Sequence, residues 1–137
     1  MTTAEQDAFL AKTRLGILTT LRDDGSPVAT PVWFEWDGSA VRIFTSAGSG
    51  KVNRLQQDPR ASLVVVNNLD EPEAWVAFDG TDSISSDGAF ALAERLADRY
   101  WDMTNGERRE TVDGWRKAAD ALRVLELMPN RIRTSKG

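Results

Sequence analysis

Apolar residues along the chain fall into two periods. Residues 15–21 (LGILTTL) form a short apolar run rich in β-formers, which reads as a strand. Arg22-Asp23-Asp24-Gly25-Ser26 follows as a hairpin turn, with Gly25 free to take a positive φ. Residues 27–36 (PVATPVWFEW) return as the second strand, and Pro31 within it removes a ladder donor. That places Pro31 at an edge or a bulge and makes Thr30, Pro31 and Val32 candidates for a site; protection of an open edge explains the proline equally well. Asp37-Gly38-Ser39 turns the chain into residues 41–45, where Val41, Ile43 and Thr45 alternate with Arg42 and Phe44. Residues 61–67 (ASLVVVN) are nearly continuously apolar, as in a strand buried on both sides or closed into a barrel. Residues 73–83 read as a further strand with a bend or bulge at Gly80, and residues 122–128 (LRVLELM) alternate strictly. Pro129-Asn130 is expected to turn before a last short extended piece at 131–134.

The helical period marks the other segments. Thr3-x-x-Gln6 reads as a capping box opening a short helix that ends near Lys12. Phe90, Leu92, Ala93, Leu96, Ala97 and Tyr100 share one face of a helix over about 88–102, and Trp115 marks a second helix over 111–121. Asp58-Pro59 stops a short helix that follows the 41–45 strand. The expectation is a single domain over 1–137, mainly β (α+β), with about six antiparallel strands closed into a small barrel and helices on its flanks.

Residues 41–55 (VRIFTSAGSGKVNRL) join a strand to that short helix through small residues, 46–50. Backbone N–H groups converge at such a junction, and Lys51 and Arg54 add charge one helical turn apart. The arrangement suits a phosphate, with Thr45, Ser46, Gly50, Lys51, Val52 and Arg54 around it. A nucleotide P-loop is excluded: Thr45 stands where its first glycine is needed, and Val52 replaces the hydroxyl residue after the lysine. The dinucleotide pattern fails too, because Asn53 occupies its third glycine. The alternative is a loop that merely turns the chain, with Lys51 in solvent.

Composition narrows the chemistry. The chain has 137 residues, no Cys and no His. Thiolate nucleophiles, iron–sulfur clusters, zinc knuckles, Ser-His-Asp triads, imidazole bases and His-ligated haem are therefore ruled out. No catalytic side chain or metal site is assigned, and Tyr100, the single phenol, lies on an apolar helix face. A bound cofactor is the natural source of chemistry. A net charge of −4 argues against non-specific nucleic-acid binding. There is no apolar run of about eighteen residues and no signal-peptide core, so a cytoplasmic protein off the membrane is expected.

In this order the segments LGILTTLRDDGSPVATPVWFEWDG, FTSAGSGKVNRLQQDPRASLVVV, FDGTDSI, RYW and MPNRIRTSKG resemble the pyridoxamine-phosphate-oxidase-like split-barrel family. They are most similar to its small branch associated with the deazaflavin coenzyme F420. The resemblance implies a six-stranded antiparallel split β-barrel and a homodimer with two sites at its interface. It implies a cofactor phosphate near Thr45, Ser46, Lys51 and Arg54, and a ring system against Thr30 to Val32. Ala74 and Trp75 would reach the site from the partner subunit. It further implies an F420-dependent oxidoreductase acting on a small unsaturated or electrophilic organic substrate. FMN shares the ring, ribityl chain and phosphate of F420, so a flavin oxidoreductase is the alternative, and a non-catalytic carrier is a third reading. The acidic tail of F420 would need basic residues, for which Arg54, Arg60 and Arg42 are candidates. The chain lacks the Arg- and His-bearing C-terminal region that grips pyridoxal phosphate in the classical oxidases, so vitamin B6 chemistry is not expected.

Overall fold

A computed structural model describes residues 1–135. Lys136 and Gly137, the end of the MPNRIRTSKG segment, lie outside the described residues. Seven strands form one sheet: β1 (Gly16–Leu21), β2 (Pro27–Val32), β3 (Glu35–Trp36), β4 (Val41–Ser46), β5 (Arg60–Val66), β6 (Trp75–Ser85) and β7 (Leu122–Thr134). Helix α1 (Thr3–Ala11) precedes them, α2 (Gly50–Gln57) joins β4 to β5, and α3 (Ala89–Tyr100) and α4 (Gly106–Lys117) lie between β6 and β7. The strand order is β2-β1-β5-β6-β7-β4-β3, every pairing antiparallel.

That order dictates a barrel. β2 lies at one edge and β3 at the other, yet only Trp33 and Phe34 separate them in the chain. Two residues span only about 7 Å, so the sheet must roll until its edges meet. The 27–36 run therefore divides into two strands at this seam, and the expected six strands become seven. At the break the backbone N–H of Phe34 donates to the Tyr100 hydroxyl, 3.3 Å, rather than to a ladder. Pro31 sits on an edge strand in unbroken register with β1, so the proline marks an edge and no bulge.

The interior follows from strand alternation. Leu18, Ile43, Leu63, Val65, Val76, Phe78, Leu125 and Leu127 point inward and are almost fully buried. Residues 60–66 bury Ala61, Leu63 and Val65 but not Ser62, Val64 and Val66, so this strand belongs to a one-sided barrel wall. Val52 and Leu55 of α2 plug one end of the barrel. A second cluster forms outside it, where Ala89, Leu92, Ala93 and Leu96 of α3 cover Leu122 and Val124 of β7.

Several boundaries differ from the sequence expectation. The capping box uses Thr2 and Glu5, each side chain bonded to the other's backbone N–H, instead of Thr3 and Gln6. α4 starts at Gly106, five residues earlier than expected, because the Asn105 side chain accepts from the Arg108 N–H and caps it. Pro129-Asn130 does not turn: β7 runs on to Thr134, and the irregularity is absorbed where Gly80 pairs with Pro129 while Asp79 pairs with Arg131. Gly80 is required there, since a Cβ would lie 2.1 Å from the Met128 carbonyl oxygen.

Candidate functional site

At the seam β2, β4 and α2 surround a cavity of about 410 Å³. The seam residues Pro31, Val32 and Trp33 form one wall, and Ile43 and Phe44 of β4 form another. Leu15, Lys51 and Trp115 complete the lining, leaving Lys51 as the one charged side chain in it. Of the residues singled out in the sequence, the structure thus brings Pro31, Val32 and Lys51 together. Thr30 sits one residue along β2, half-buried and paired with Leu18.

Beside this cavity the β4–α2 junction has the anticipated geometry. Ala47 N–H is tied to Ala121 and Ser49 N–H to Ser46, while the Ser49 hydroxyl caps α2 by accepting from the Val52 N–H. The N–H groups of Gly48, Gly50 and Lys51 have no hydrogen-bond partner among the described residues. Orphan donors of this kind are inherent in a helix start. Thr45 is half-buried at the end of β4 and Ser46 is exposed, whereas the Val52 side chain is spent in the barrel core.

Neither Lys51 nor Arg54 forms an ion pair with any carboxylate among the described residues. Burial, and secondly the charge of Arg54, lower the Lys51 ammonium from its usual range. Two cations crowded together without a counter-charge, next to unbonded N–H groups, form a donor set suited to a phosphate group. The other basic candidates are committed elsewhere. Arg42 is held between Asp37 and Glu126, and Arg60 closes a two-pronged contact with Asp58.

An aromatic stack backs the cavity. Trp33 lies parallel to Tyr100 at 5.2 Å between ring centroids and meets Trp101 edge-on at 4.8 Å. Trp115 continues the stack, 5.7 Å from Trp101 and 5.1 Å from Phe44. Tyr100 itself is structural: its hydroxyl donates to the Arg14 carbonyl at 2.5 Å and ties α3 to the entry of β1. Sequence reasoning missed Leu15, Trp33, Ile43, Phe44 and Trp115 as cavity walls. Trp33 stands next to the flagged 30–32 segment, but nothing local in the sequence signals that α4 brings Trp115 to the same place.

Ala74 and Trp75 do not line this cavity. They lie at the start of β6, where the Trp75 N–H donates to the Ser135 hydroxyl, 3.2 Å. Trp75 pairs with Val66, and Pro31 pairs with Ile17, which in turn opposes Val64. Paired residues share a face, so both Trp75 and Pro31 look out from the barrel. On that outer face Leu15 is 51% and Val66 47% exposed. The helices lie elsewhere: α1 packs on β3, α3 on β4 and β7, α4 on α3, and α2 closes the barrel end.

Known proteins give this site a context. A structure described as an F420 reductase superimposes with a TM-score of 0.74 at 22% identity, covering 93% of this chain and 94% of that one. A conserved hypothetical protein of Mycobacterium tuberculosis gives 0.78 at 25% identity, covering 98% and 84%. In sequence the chain is 34% identical over 110 residues to an F420H(2)-dependent biliverdin reductase of M. tuberculosis (strain CDC 1551 / Oshkosh), 77% of each chain. No helix among the described residues is long and apolar enough to cross a membrane. The family model for pyridoxamine 5'-phosphate oxidase matches residues 2–136, essentially the whole length, and with the rolled split-barrel sheet this makes the chain a member of that family.

Proposed function

We propose that the chain is an F420-dependent oxidoreductase that reduces a small unsaturated or electrophilic organic acceptor. The observation that carries this reading is the unpaired Lys51 and Arg54 beside free N–H groups, opening onto an apolar cavity at the seam. Its support in comparison is the F420H(2)-dependent relative. Lys51, Arg54 and the N–H groups of Gly48 and Gly50 would hold the phosphate. Pro31, Val32 and the adjoining strand edge would lie against the ring. Bound reduced F420 supplies a hydride to the acceptor. The protein's part is to hold the cofactor and acceptor in contact and to exclude water with the aromatic wall of Trp33, Phe44 and Trp115. Faster oxidation of reduced F420 by an acceptor in the presence of the protein tests the reading; tight binding without any acceleration across a panel of enones, imines, quinones and tetrapyrroles returns it to a carrier.

The dimer belongs to the same proposal. An apolar sheet face with Leu15, Ile17, Val64, Val66 and Trp75, left bare by the chain's own helices, suits an isologous interface with a second copy. Trp33, Trp36, Trp101 and Trp115 stack on rings within the chain, so Trp75 is the tryptophan this interface would bury. Since Pro31 shares the face, a partner's Ala74-Trp75 segment has a direct route to the site. Sedimentation should give a dimer at micromolar concentration and a monomer for Val66→Asp. A monomeric wild type would contradict the shared site.

The acidic tail of F420 provides a further check. Arg42 is neutralised by two carboxylates, whereas Arg60 shares its charge with Asp58 alone and stays exposed, so Arg60 and Arg54 are the basic residues left for the tail. Longer polyglutamate tails should bind more tightly at low ionic strength, with the gain shrinking as salt rises. Equal affinity for tailed and tail-less cofactor would remove both arginines from that role.

A further inference from the structure

We propose that Thr20 is a positioning residue for the phosphate cradle, its buried hydroxyl aiming the Arg54 guanidinium across the first turn of α2. The inference rests on the cradle being the cofactor's phosphate site. Thr20 is 1% exposed and lies on the inward face of β1 with Gly16 and Leu18, where the strand pattern asks for an apolar side chain. A buried hydroxyl without a partner is costly, so threonine in place of valine calls for a reason. The partner is Arg54, whose Nε donates to the Thr20 Oγ1 at 2.7 Å.

That bond fixes the direction of the Nε–H, which lies in the guanidinium plane, and so restricts where the fork can point. It leaves Nη1 and Nη2 without a carboxylate or carbonyl partner among the described residues. It also sets where they lie. A Cβ built on Gly50 would come 2.8 Å from Nη1, so the fork occupies the space that glycine leaves open over the helix start. The unbonded N–H groups of Gly50 and Lys51 open at the same turn. Thr20 and Gly50, from different elements, therefore hold a preorganised fork beside Lys51. Preorganisation spares the side chain the entropy it would lose on gripping an anion.

The test compares affinity for a deazaflavin riboside that ends at its phosphate, without the acidic tail, with affinity for the same chromophore without the phosphate, by titration of each variant. The ratio isolates the phosphate. Wild type should favour the phosphate-bearing form. Thr20→Val should lower the ratio about fivefold to tenfold while leaving affinity for the phosphate-free form unchanged, and Thr20→Ser should restore it. Gly50→Ala, which displaces Nη1 without touching the barrel interior, should lower the ratio as well, and it carries the test if Thr20→Val fails to fold. A general structural defect would weaken both ligands alike and overturn the positioning role. A wild-type ratio in Thr20→Val or Gly50→Ala overturns it too and leaves the cradle standing. Equal binding of both forms by the wild type overturns the cradle itself, and the role of Thr20 with it.

Discussion

Lys51→Ala should weaken binding of F420 and of FMN by about one to two orders of magnitude. The ammonium lines the seam cavity and has no carboxylate partner among the described residues, so its charge is uncompensated until an anion arrives. A charge-assisted contact of that kind contributes roughly 1.5–3 kcal/mol, which converts to that range of affinity. Stability without ligand should change by no more than about 0.5 kcal/mol, as for surface substitutions generally, and removal of a crowded cation beside Arg54 favours a small gain. Arg54→Ala should lose affinity as well, and the two changes should combine less than additively, since both address one anion. Calorimetric titration checks this. Wild-type affinity in Lys51→Ala would return the loop to a simple chain reversal.

Stability of the wild type should fall by about 2–3 kcal/mol between pH 5 and pH 8, and Asp82→Asn should abolish most of that slope. Asp82 stands on the inner face of β6 opposite Leu127, 7% exposed, and neither carboxyl oxygen has a hydrogen-bond partner among the described residues. Burial pushes its pKa up from 3.8 to about 7. The folded state therefore holds the proton more tightly than the unfolded chain. The resulting stabilisation is complete below the unfolded value and is lost as pH rises through the folded one. The chain has no histidine, and the shifted surface carboxylates, such as Asp79 beside Arg133, are moved down and out of this window. Denaturant unfolding across pH checks the expectation; parallel pH profiles for wild type and Asp82→Asn would contradict it.

The barrel strands and the strand–loop–helix junction at 41–55 were legible because local chemistry encodes them. Gly25 and Gly38 both take positive φ in the expected turns, and Asp58 ends α2 as the following proline requires. The strand–loop–helix at 41–55 formed as read, since small residues, a serine cap and the Val52–Leu55 pair all act within a few positions. Longer-range features were not legible. The division of 27–36 into two strands follows from the meeting of two sheet edges, which no local pattern records. The Pro129-Asn130 pair reads as a turn, but β6 carries the compensating Gly80 some fifty residues away in sequence, and the pairing between strands overrides the local preference. Thr20 looks like one more β-former in LGILTTL; its role emerges only when α2 delivers Arg54 against it. The same holds for Trp115, whose helix α4 starts five residues before the expected 111 because Asn105 caps it.

The most direct measurement is parallel titration of the wild-type protein with F420 and with FMN under identical salt and pH. Both carry the ring and phosphate that the proposed reading assigns to the cavity and cradle, and only F420 adds an acidic tail for Arg54 and Arg60. F420 should saturate the protein at one site per chain and with the higher affinity, and raising salt should narrow the difference. Tighter binding of FMN, or no saturable binding of either, would contradict the account.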